Sequence, residues 1–251
     1  ADVKVPTAFW GGWYDVFITG TLTAFDGYNR LSDPSVRGQS VITIDPCGHC
    51  IETQTFFSEN IIMGRTAIAL GQLFELYGVH PVVRKGIKNV TFYVMSSNDD
   101  AGKEAGQYWT TMETFPEPKM VDFFLHGDKS TSAKPPLDGA ADTSSYVFDP
   151  ANPQLTMGGS NLPDSIGGSI PCGPLDQAEV DTRADVLNFQ TEVFEHPLHL
   201  TGPMFATLFV SSDAVDTDFM VRISDVYPDG QVLLIQDNAL RMRWRHGGPH
   251  P

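Results

Sequence analysis

The sequence predicts an α/β part that is followed by an all-β part. Two short apolar runs near the N-terminus, residues 3–10 and 40–44, each stop at turn residues, and the stretch between them is long enough for a crossover. Such spacing is typical of neighbouring parallel strands. After residue 88 the β-favouring segments recur between Gly- and Pro-rich turns, which indicates a β-sandwich or jelly roll. We therefore place an α/β domain at residues 1–87 and a β-sandwich domain at residues 88–251.

The clearest helix of the first part is predicted over residues 58–78. Ser58 is placed to cap its N-terminus, Gly78 is placed at the C′ position, and the apolar residues between them recur at helical spacing. An earlier segment, residues 16–27, connects the two strands, and Asp15 stands where an N-cap would stand. Strands and helices thus alternate along the first part of the chain.

The second part is predicted to consist of strands separated by turns. Residues 129–173 are rich in Ser, Pro, Gly and Asp and lack periodicity, so we expect a long surface excursion there. The strands are predicted at residues 89–95, 119–125, 185–191, 198–200, 204–210, 218–223 and 232–235. Because half of the parallel sheet and part of the sandwich would lack partners in these residues, we expect a large exposed apolar face.

The composition excludes several classes of protein. The chain has 16 Lys and Arg against 31 Asp and Glu, a net charge of −15, and a nucleic-acid binder would need clustered basic residues instead. No apolar run approaches the roughly 20 residues of a membrane-spanning helix, and the N-terminal residues lack the layout of a signal peptide. The acidity and a close cysteine pair favour a secreted or periplasmic protein.

Two short motifs follow the two N-terminal strands and carry an acid and a base. The first is Gly11-Gly12-Trp13-Tyr14-Asp15, and the second, residues 45–49, ends in His49. Open α/β sheets place their active sites at the carboxyl ends of parallel strands, which is where both motifs are expected. A carboxylate followed by a histidine is also the chain order of the acid and base in the Ser-His-Asp triad of α/β-hydrolases.

In these motifs the chain resembles the family of cocaine esterases, α-amino-acid ester hydrolases and X-Pro dipeptidyl peptidases. The family's Gly-Gly-Trp-Tyr-Asp segment is intact here, whereas its Gly-Pro-Trp-(Gly/Ser)-His segment is altered, because Asp45 and Cys47 replace the usual Gly and Trp. The resemblance covers nearly the whole chain and includes residues 222–230, which are similar to a signature of the family's C-terminal domain.

The resemblance implies the C-terminal part of an α/β-hydrolase domain followed by a jelly-roll domain. It also implies that Asp15 is the triad acid and His49 the triad base. The family's nucleophile lies in a Gly-x-Ser-Tyr-x-Gly elbow upstream of the acid, and no Gly-x-Ser-x-Gly pattern occurs in this chain. We therefore expect an internal segment of a longer serine hydrolase, which lacks the serine and cannot catalyse acyl transfer alone.

The expected partners follow from this chemistry. They are a small-molecule ester, an amide or a peptide, together with the rest of the same polypeptide, and the sequence leaves a homo-oligomer open. The triad needs no cofactor or metal. Trp13, Tyr14 and Phe17 flank the acid and could line the acyl pocket, although aromatic residues beside the end of a sheet are at least as often part of the core.

A redox site is the main rival for the second motif. Cys47-Gly48-His49-Cys50 is a C-x-x-C pattern between a strand and a helix, as in thioredoxin-like proteins. Against this interpretation, Pro46 precedes the first cysteine where those sites carry an aromatic residue. A disulfide between Cys47 and Cys50, or two thiols, is the alternative we favour.

Other binding functions remain open on the sequence alone. Cysteine and histidine in the same loop would suit zinc, but a second cluster at ligand spacing is missing. Asp213, Asp216 and Asp218 would suit calcium, although such carboxylates more often cap turns. The β-sandwich alone would also fit a binding module without catalysis.

Overall fold

The structure is a computed structural model that describes residues 3–49, 70–71, 87–96, 105–137, 143–162 and 170–247. The chain forms two compact units. The first consists of Ala1–Phe115 with Met157–Pro174, and the second of Pro116–Thr156 with Leu175–Pro251. The helix predicted at residues 58–78 lies outside the described residues, apart from residues 70 and 71. In the described part of the chain, no helix has the length and apolar character that a membrane crossing requires.

The first unit is built on a four-stranded sheet, in which the strands lie in chain order. β1 to β3 are parallel, and β4 joins β3 in the antiparallel sense. The strands are β1 (Ala8–Tyr14), β2 (Val41–Gly48), β3 (Val90–Val94) and β4 (Tyr108–Met112), and helix α1 (Ile18–Leu31) connects β1 to β2. The crossover expected between the first two strands is therefore helical.

The core of the first unit lies under β2 and β3. Ile42 and Ile44 of β2 are fully buried and pack with Val90 and Phe92 of β3 and with Phe25 of α1. β2 lies between two strands, and its first six residues are all buried, which is the pattern of a parallel strand covered on both faces. Burial on both faces thus explains the apolar run from which this strand was predicted.

The sheet extends past the predicted domain boundary at residues 87/88. We assigned the strand predicted at residues 89–95 to the β-sandwich. In the structure this strand is β3, which pairs in parallel with β2 and places Val90 opposite Ile42. A short apolar run is typical of either kind of buried strand, so its pattern could not assign it to a sheet. The contacts of the structure place residues up to Phe115 in the first unit.

Part of the expected surface excursion also belongs to the first unit. Met157–Pro174 is assigned there, and Gly159 and Gly173 exchange two backbone hydrogen bonds of 2.8 and 3.0 Å. Cys172 on this return segment is buried. The excursion predicted over residues 129–173 is therefore interrupted by buried residues at positions 158–159 and 172–173.

The second unit contains two antiparallel pairs of strands. They are β5 (Phe124–Leu125) with β6 (Thr131–Ser132), and β7 (Asp218–Val226) with β8 (Val232–Arg241), and a short helix, α2, spans Ala178–Asp181. Arg222 of β7 donates hydrogen bonds to Asp181 of α2 and to Gln177, which precedes it, so these contacts connect the longer pair to the helix. The strands predicted at residues 218–223 and 232–235 are present and longer than expected.

Several predicted strands of the second unit are not formed. The strand predicted at residues 119–125 is reduced to β5, and residues 185–191, 198–200 and 204–210 form none beyond a single bridge at Gln190. β-favouring residues form a strand only when a neighbouring strand pairs with them. These segments instead expose large apolar side chains, with Phe209 fully exposed, in agreement with the expected apolar face.

Replacing either of two glycines by alanine should change the stability of the protein, in opposite directions. Gly27 lies inside α1 with open space at the position of a Cβ, so Gly27→Ala should raise the free energy of unfolding by about 1 kcal/mol through helix propensity. Gly38 has equally open space but a φ of +76°, so Gly38→Ala should lower it by about 1–2 kcal/mol. Chemical denaturation of both variants measures the difference, and changes of the same sign would contradict this account of the backbone.

Candidate active site

The two predicted motifs meet at the carboxyl edge of β1 and β2. Gly12 lies opposite Asp45 and Tyr14 opposite Gly48 in the parallel register, so the residues that follow each strand are neighbours. His49 Nδ1 lies 3.1 Å from both carboxylate oxygens of Asp15. The structure therefore brings together the acid and the base that the sequence predicted.

A backbone irregularity in β2 precedes the histidine, because one residue of β1 but two of β2 lie between the pairs Gly12–Asp45 and Tyr14–Gly48. The register between β1 and β2 shifts between Gly12 and Tyr14, and the amide of Asp15 donates a 3.0 Å hydrogen bond to the carbonyl of Gly12. Such bulges bend a strand and re-aim its side chains next to active sites. A Cβ on Gly12 would overlap the carbonyl oxygen of Cys47 and lie 2.9 Å from Asp45 Oδ1, so the turn requires glycine at this position.

Asp15 also holds the start of the following helix. Its Oδ1 accepts a 2.8 Å hydrogen bond from the amide of Phe17, the residue at the N-cap position of α1. Asp15 is therefore not the N-cap itself, and its carboxylate is held at the same time by the helix and by His49. A carboxylate fixed in this way can orient an imidazole.

The contact with Asp15 assigns roles to the two ring nitrogens of His49. When Nδ1 carries the proton and donates it to the carboxylate, the lone pair of neutral imidazole is on Nε2. A base of this kind accepts a proton at Nε2, and the carboxylate then stabilises the imidazolium that forms. About a quarter of the His49 side chain is exposed, so the ring is accessible from solvent.

The three aromatic residues proposed for the pocket lie in different environments. Phe17 is more than half exposed, and its ring meets the His49 ring edge-on with 5.0 Å between the centroids. Trp13 packs against Phe92 of the core and donates a 3.0 Å hydrogen bond to the carbonyl of Tyr93, while Tyr14 is buried. Among the three, Phe17 is the side chain placed beside the base and open to solvent.

Asp45 is a residue whose role the sequence did not reveal. Only 2% of it is exposed, its Oδ2 accepts a 2.9 Å hydrogen bond from the indole of Trp10, and its Oδ1 accepts one of 2.9 Å from the amide of Cys47. The only signal in the sequence is that an acid stands where the resembling family usually has glycine.

The structure describes two of the three cysteines, Cys47 and Cys172. Cys172, for which the sequence suggested no partner, lies against Gly48, where a Cβ would come 3.0 Å from the Cys172 Cβ. Cys47 lies in the same loop and is partly buried. Cys50 lies outside the described residues, so its pairing with Cys47 stays a prediction.

Two further groups of residues concern the metal-binding alternatives and a second contact between a histidine and a serine. Within the described ranges, no three His, Cys, Asp or Glu side chains lie together as a metal site would need, and Asp216 and Asp218 make ion pairs with Arg241. In the second unit, His126 Nε2 lies 2.9 Å from Ser132 Oγ. This serine also accepts a 3.3 Å hydrogen bond from the amide of Lys134, and such local hydrogen bonding is typical of a turn.

Comparison with known proteins gives three similarities. Residues 85–251 match the family described as the X-Pro dipeptidyl-peptidase C-terminal non-catalytic domain. The cocaine esterase of Rhodococcus sp. is 27% identical over 263 aligned residues, which cover 97% of this chain and 42% of that protein. A crystal structure of an aminopeptidase from a Thaumarchaeota archaeon of marine sediment matches with a TM-score of 0.72 and 21% identity, over 98% of this chain and 41% of that one. The chain thus spans about two fifths of the length of these proteins.

Proposed function

The chain belongs to the family of cocaine esterases and X-Pro dipeptidyl peptidases, and we propose that it supplies the acid and the base of a serine hydrolase that cleaves ester or amide bonds. In this proposal Asp15 and His49 are the acid and the base of a Ser-His-Asp triad. The first unit is the C-terminal part of an α/β-hydrolase domain, and the second is a jelly-roll domain. The description of the matching family model, which names a non-catalytic domain from residue 85 onward, supports catalysis by residues before it.

The observation that carries the proposal is the contact between His49 Nδ1 and the Asp15 carboxylate. These residues are 34 positions apart in the chain and meet at 3.1 Å at the carboxyl ends of adjacent parallel strands. A carboxylate that holds Nδ1 leaves Nε2 for proton transfer, and this edge of the sheet is where open α/β sheets place their active sites. We propose that the nucleophilic serine comes from the part of the relatives' length that these 251 residues do not cover.

The reaction follows from the roles of the two nitrogens. The serine Oγ attacks the carbonyl carbon while His49 Nε2 takes its proton, and the collapse of the tetrahedral intermediate passes that proton to the leaving alcohol or amine. Water then attacks the acyl-enzyme, gives its proton to Nε2, and the acid product leaves as the serine recovers its proton. Asp15 stays ionised and holds the imidazolium in both halves.

Phe17 is the aromatic side chain that we assign to substrate contact. Its exposed ring beside His49 can pack against the acyl or the leaving group. Trp13 packs against the core and Tyr14 is buried, so their contribution to substrate binding passes through the shape of the segment that carries Asp15. The name of the relative from Rhodococcus supports an ester substrate.

A fluorophosphonate probe tests the proposal in the full-length protein. The probe forms a bond between phosphorus and an activated serine oxygen as fluoride leaves, so one serine should be labelled. His49→Gln should slow labelling by at least about 100-fold, since general-base catalysis contributes about 10²–10⁴-fold. Cys47→Ser should be labelled at the normal rate. Labelling that requires Cys47, or that is indifferent to His49, would support the redox alternative or another site instead.

A further inference from the structure

We infer that Asp45 is a positioning residue, which holds the loop of the base against the strand that carries the acid. This inference rests on the proposed function of Asp15 and His49. Asp45 stands opposite Gly12 in the register of β1 and β2, and its two oxygens reach in different directions. Oδ2 accepts from the indole of Trp10 on β1, and Oδ1 accepts from the amide of Cys47, two residues before His49.

The hydrogen bond to Cys47 compensates for the irregular register. Regular pairing with β1 is interrupted between Gly12 and Tyr14, and pairing of β2 with β3 is described only as far as Ile44. Beyond that point β2 runs on to Gly48, next to His49, and the amide of the partly buried Cys47 needs an acceptor. The carboxylate supplies it and closes a turn of the kind that Asp side chains favour.

The hydrogen bond to Trp10 connects this turn to the neighbouring strand. β1 continues from Trp10 to Asp15 opposite the irregular part of β2, so a carboxylate that holds both Trp10 and Cys47 spans the two backbones that carry the acid and the base. Gly12 leaves the space that this carboxylate occupies, because a side chain there would approach Asp45 Oδ1 to 2.9 Å. A buried carboxyl group is unfavourable without hydrogen-bond partners, and Trp10 and Cys47 supply two.

The expected consequence is a loss of rate without a loss of substrate affinity. Asp45→Asn keeps the size of the side chain but has one acceptor oxygen for two donors, so one of the two hydrogen bonds from Trp10 and Cys47 is lost. A displacement of about 1 Å between catalytic groups costs on the order of 100-fold in rate. We expect kcat for a p-nitrophenyl ester to fall by about 10- to 100-fold. KM should change little, since Asp45 is buried and does not reach the substrate.

The experiment is a double-mutant cycle in the full-length enzyme. Asp45→Asn, Trp10→Phe and the double variant are compared for kcat, KM and thermal unfolding. Because Trp10 is nearly half exposed, Trp10→Phe keeps the test informative even if Asp45→Asn folds poorly. If the two residues act through one hydrogen bond, their effects on kcat are not additive. The downfield proton signal of His49 Nδ1–H should shift or broaden in both single variants.

Two controls separate positioning from general stability. Asp33→Asn removes a comparable acceptor, since Asp33 Oδ1 accepts a 2.9 Å hydrogen bond from the amide of Ser35, away from the motifs. Trp109→Phe removes an indole from β4 that packs edge-on against Tyr93. Both should leave kcat and the proton signal as in the parent enzyme.

The outcomes distinguish this inference from the proposed function. If His49→Ala is inactive but Asp45→Asn and Trp10→Phe keep the parental kcat and proton signal, the positioning role is wrong and the triad stands. If kcat falls only in step with the folded fraction, the role of Asp45 is structural and the inference is overturned. If His49→Ala keeps full activity, the triad and the role of Asp45 are both wrong.

Discussion

His49→Ala should lower kcat/KM for ester hydrolysis in the full-length enzyme by about 10⁶-fold, the size of effect seen when a triad base is removed. Asp15→Asn should lower it by about 10⁴-fold, because the amide cannot accept from Nδ1–H as the carboxylate does and favours the wrong tautomer of His49. The double variant should be no worse than His49→Ala, since the acid acts only through the base. Single-turnover and steady-state kinetics with a chromogenic ester measure all three.

The matched controls are another histidine and the neighbouring thiol. His126→Ala removes a ring that contacts Ser132 in the second unit, and Cys47→Ser removes the sulfur of the C-x-x-C pattern. We expect both variants to keep kcat/KM within about threefold of the parent, in the range of substitutions that remove no catalytic group. An inactive Cys47→Ser would favour redox chemistry, and an inactive His126→Ala would move the site to the second unit.

The geometry of the acid and base was predictable because it depends on local chain features. Each residue follows a short apolar strand at a turn, and parallel neighbouring strands bring both ends to one edge of the sheet. The assignment therefore needed only the two strands, the order of Asp15 and His49, and the motif around each. It did not need the register, which the structure supplies.

Features that depend on contacts between distant segments were not predictable. The packing of Cys172 against Gly48 joins positions more than a hundred residues apart, and nothing in the local pattern of either segment indicates it. The assignment of β3 to the first sheet was not predictable either, because its sequence fits any buried strand. Conversely, residues 198–200 and 204–210 have the composition of strands, but they pair with no strand of the described residues.

Gly12→Ala is the substitution outside the triad from which we expect the largest effect. The added methyl would overlap the carbonyl oxygen of Cys47 and approach the carbonyl carbon to 2.8 Å. Both are backbone atoms of the loop that leads to His49, so the conflict cannot be relieved by rotating a side chain. Either β1 and β2 separate at this point or the loop moves, and both responses displace His49 from Asp15.

We therefore expect two effects of Gly12→Ala. Overpacking of this kind costs about 1–3 kcal/mol in the free energy of unfolding, and displacement of the base costs at least about 100-fold in kcat. The matched control is Gly11→Ala, whose methyl would meet the end of the flexible Ile18 side chain at 3.2 Å and should cost less on both measures. Denaturation and ester kinetics of the two variants provide the comparison. If Gly11→Ala is the more harmful variant, the close approach of Gly12 to Cys47 is not the reason that this motif requires glycine. The expected effect of Gly12 on the position of His49 would then be wrong.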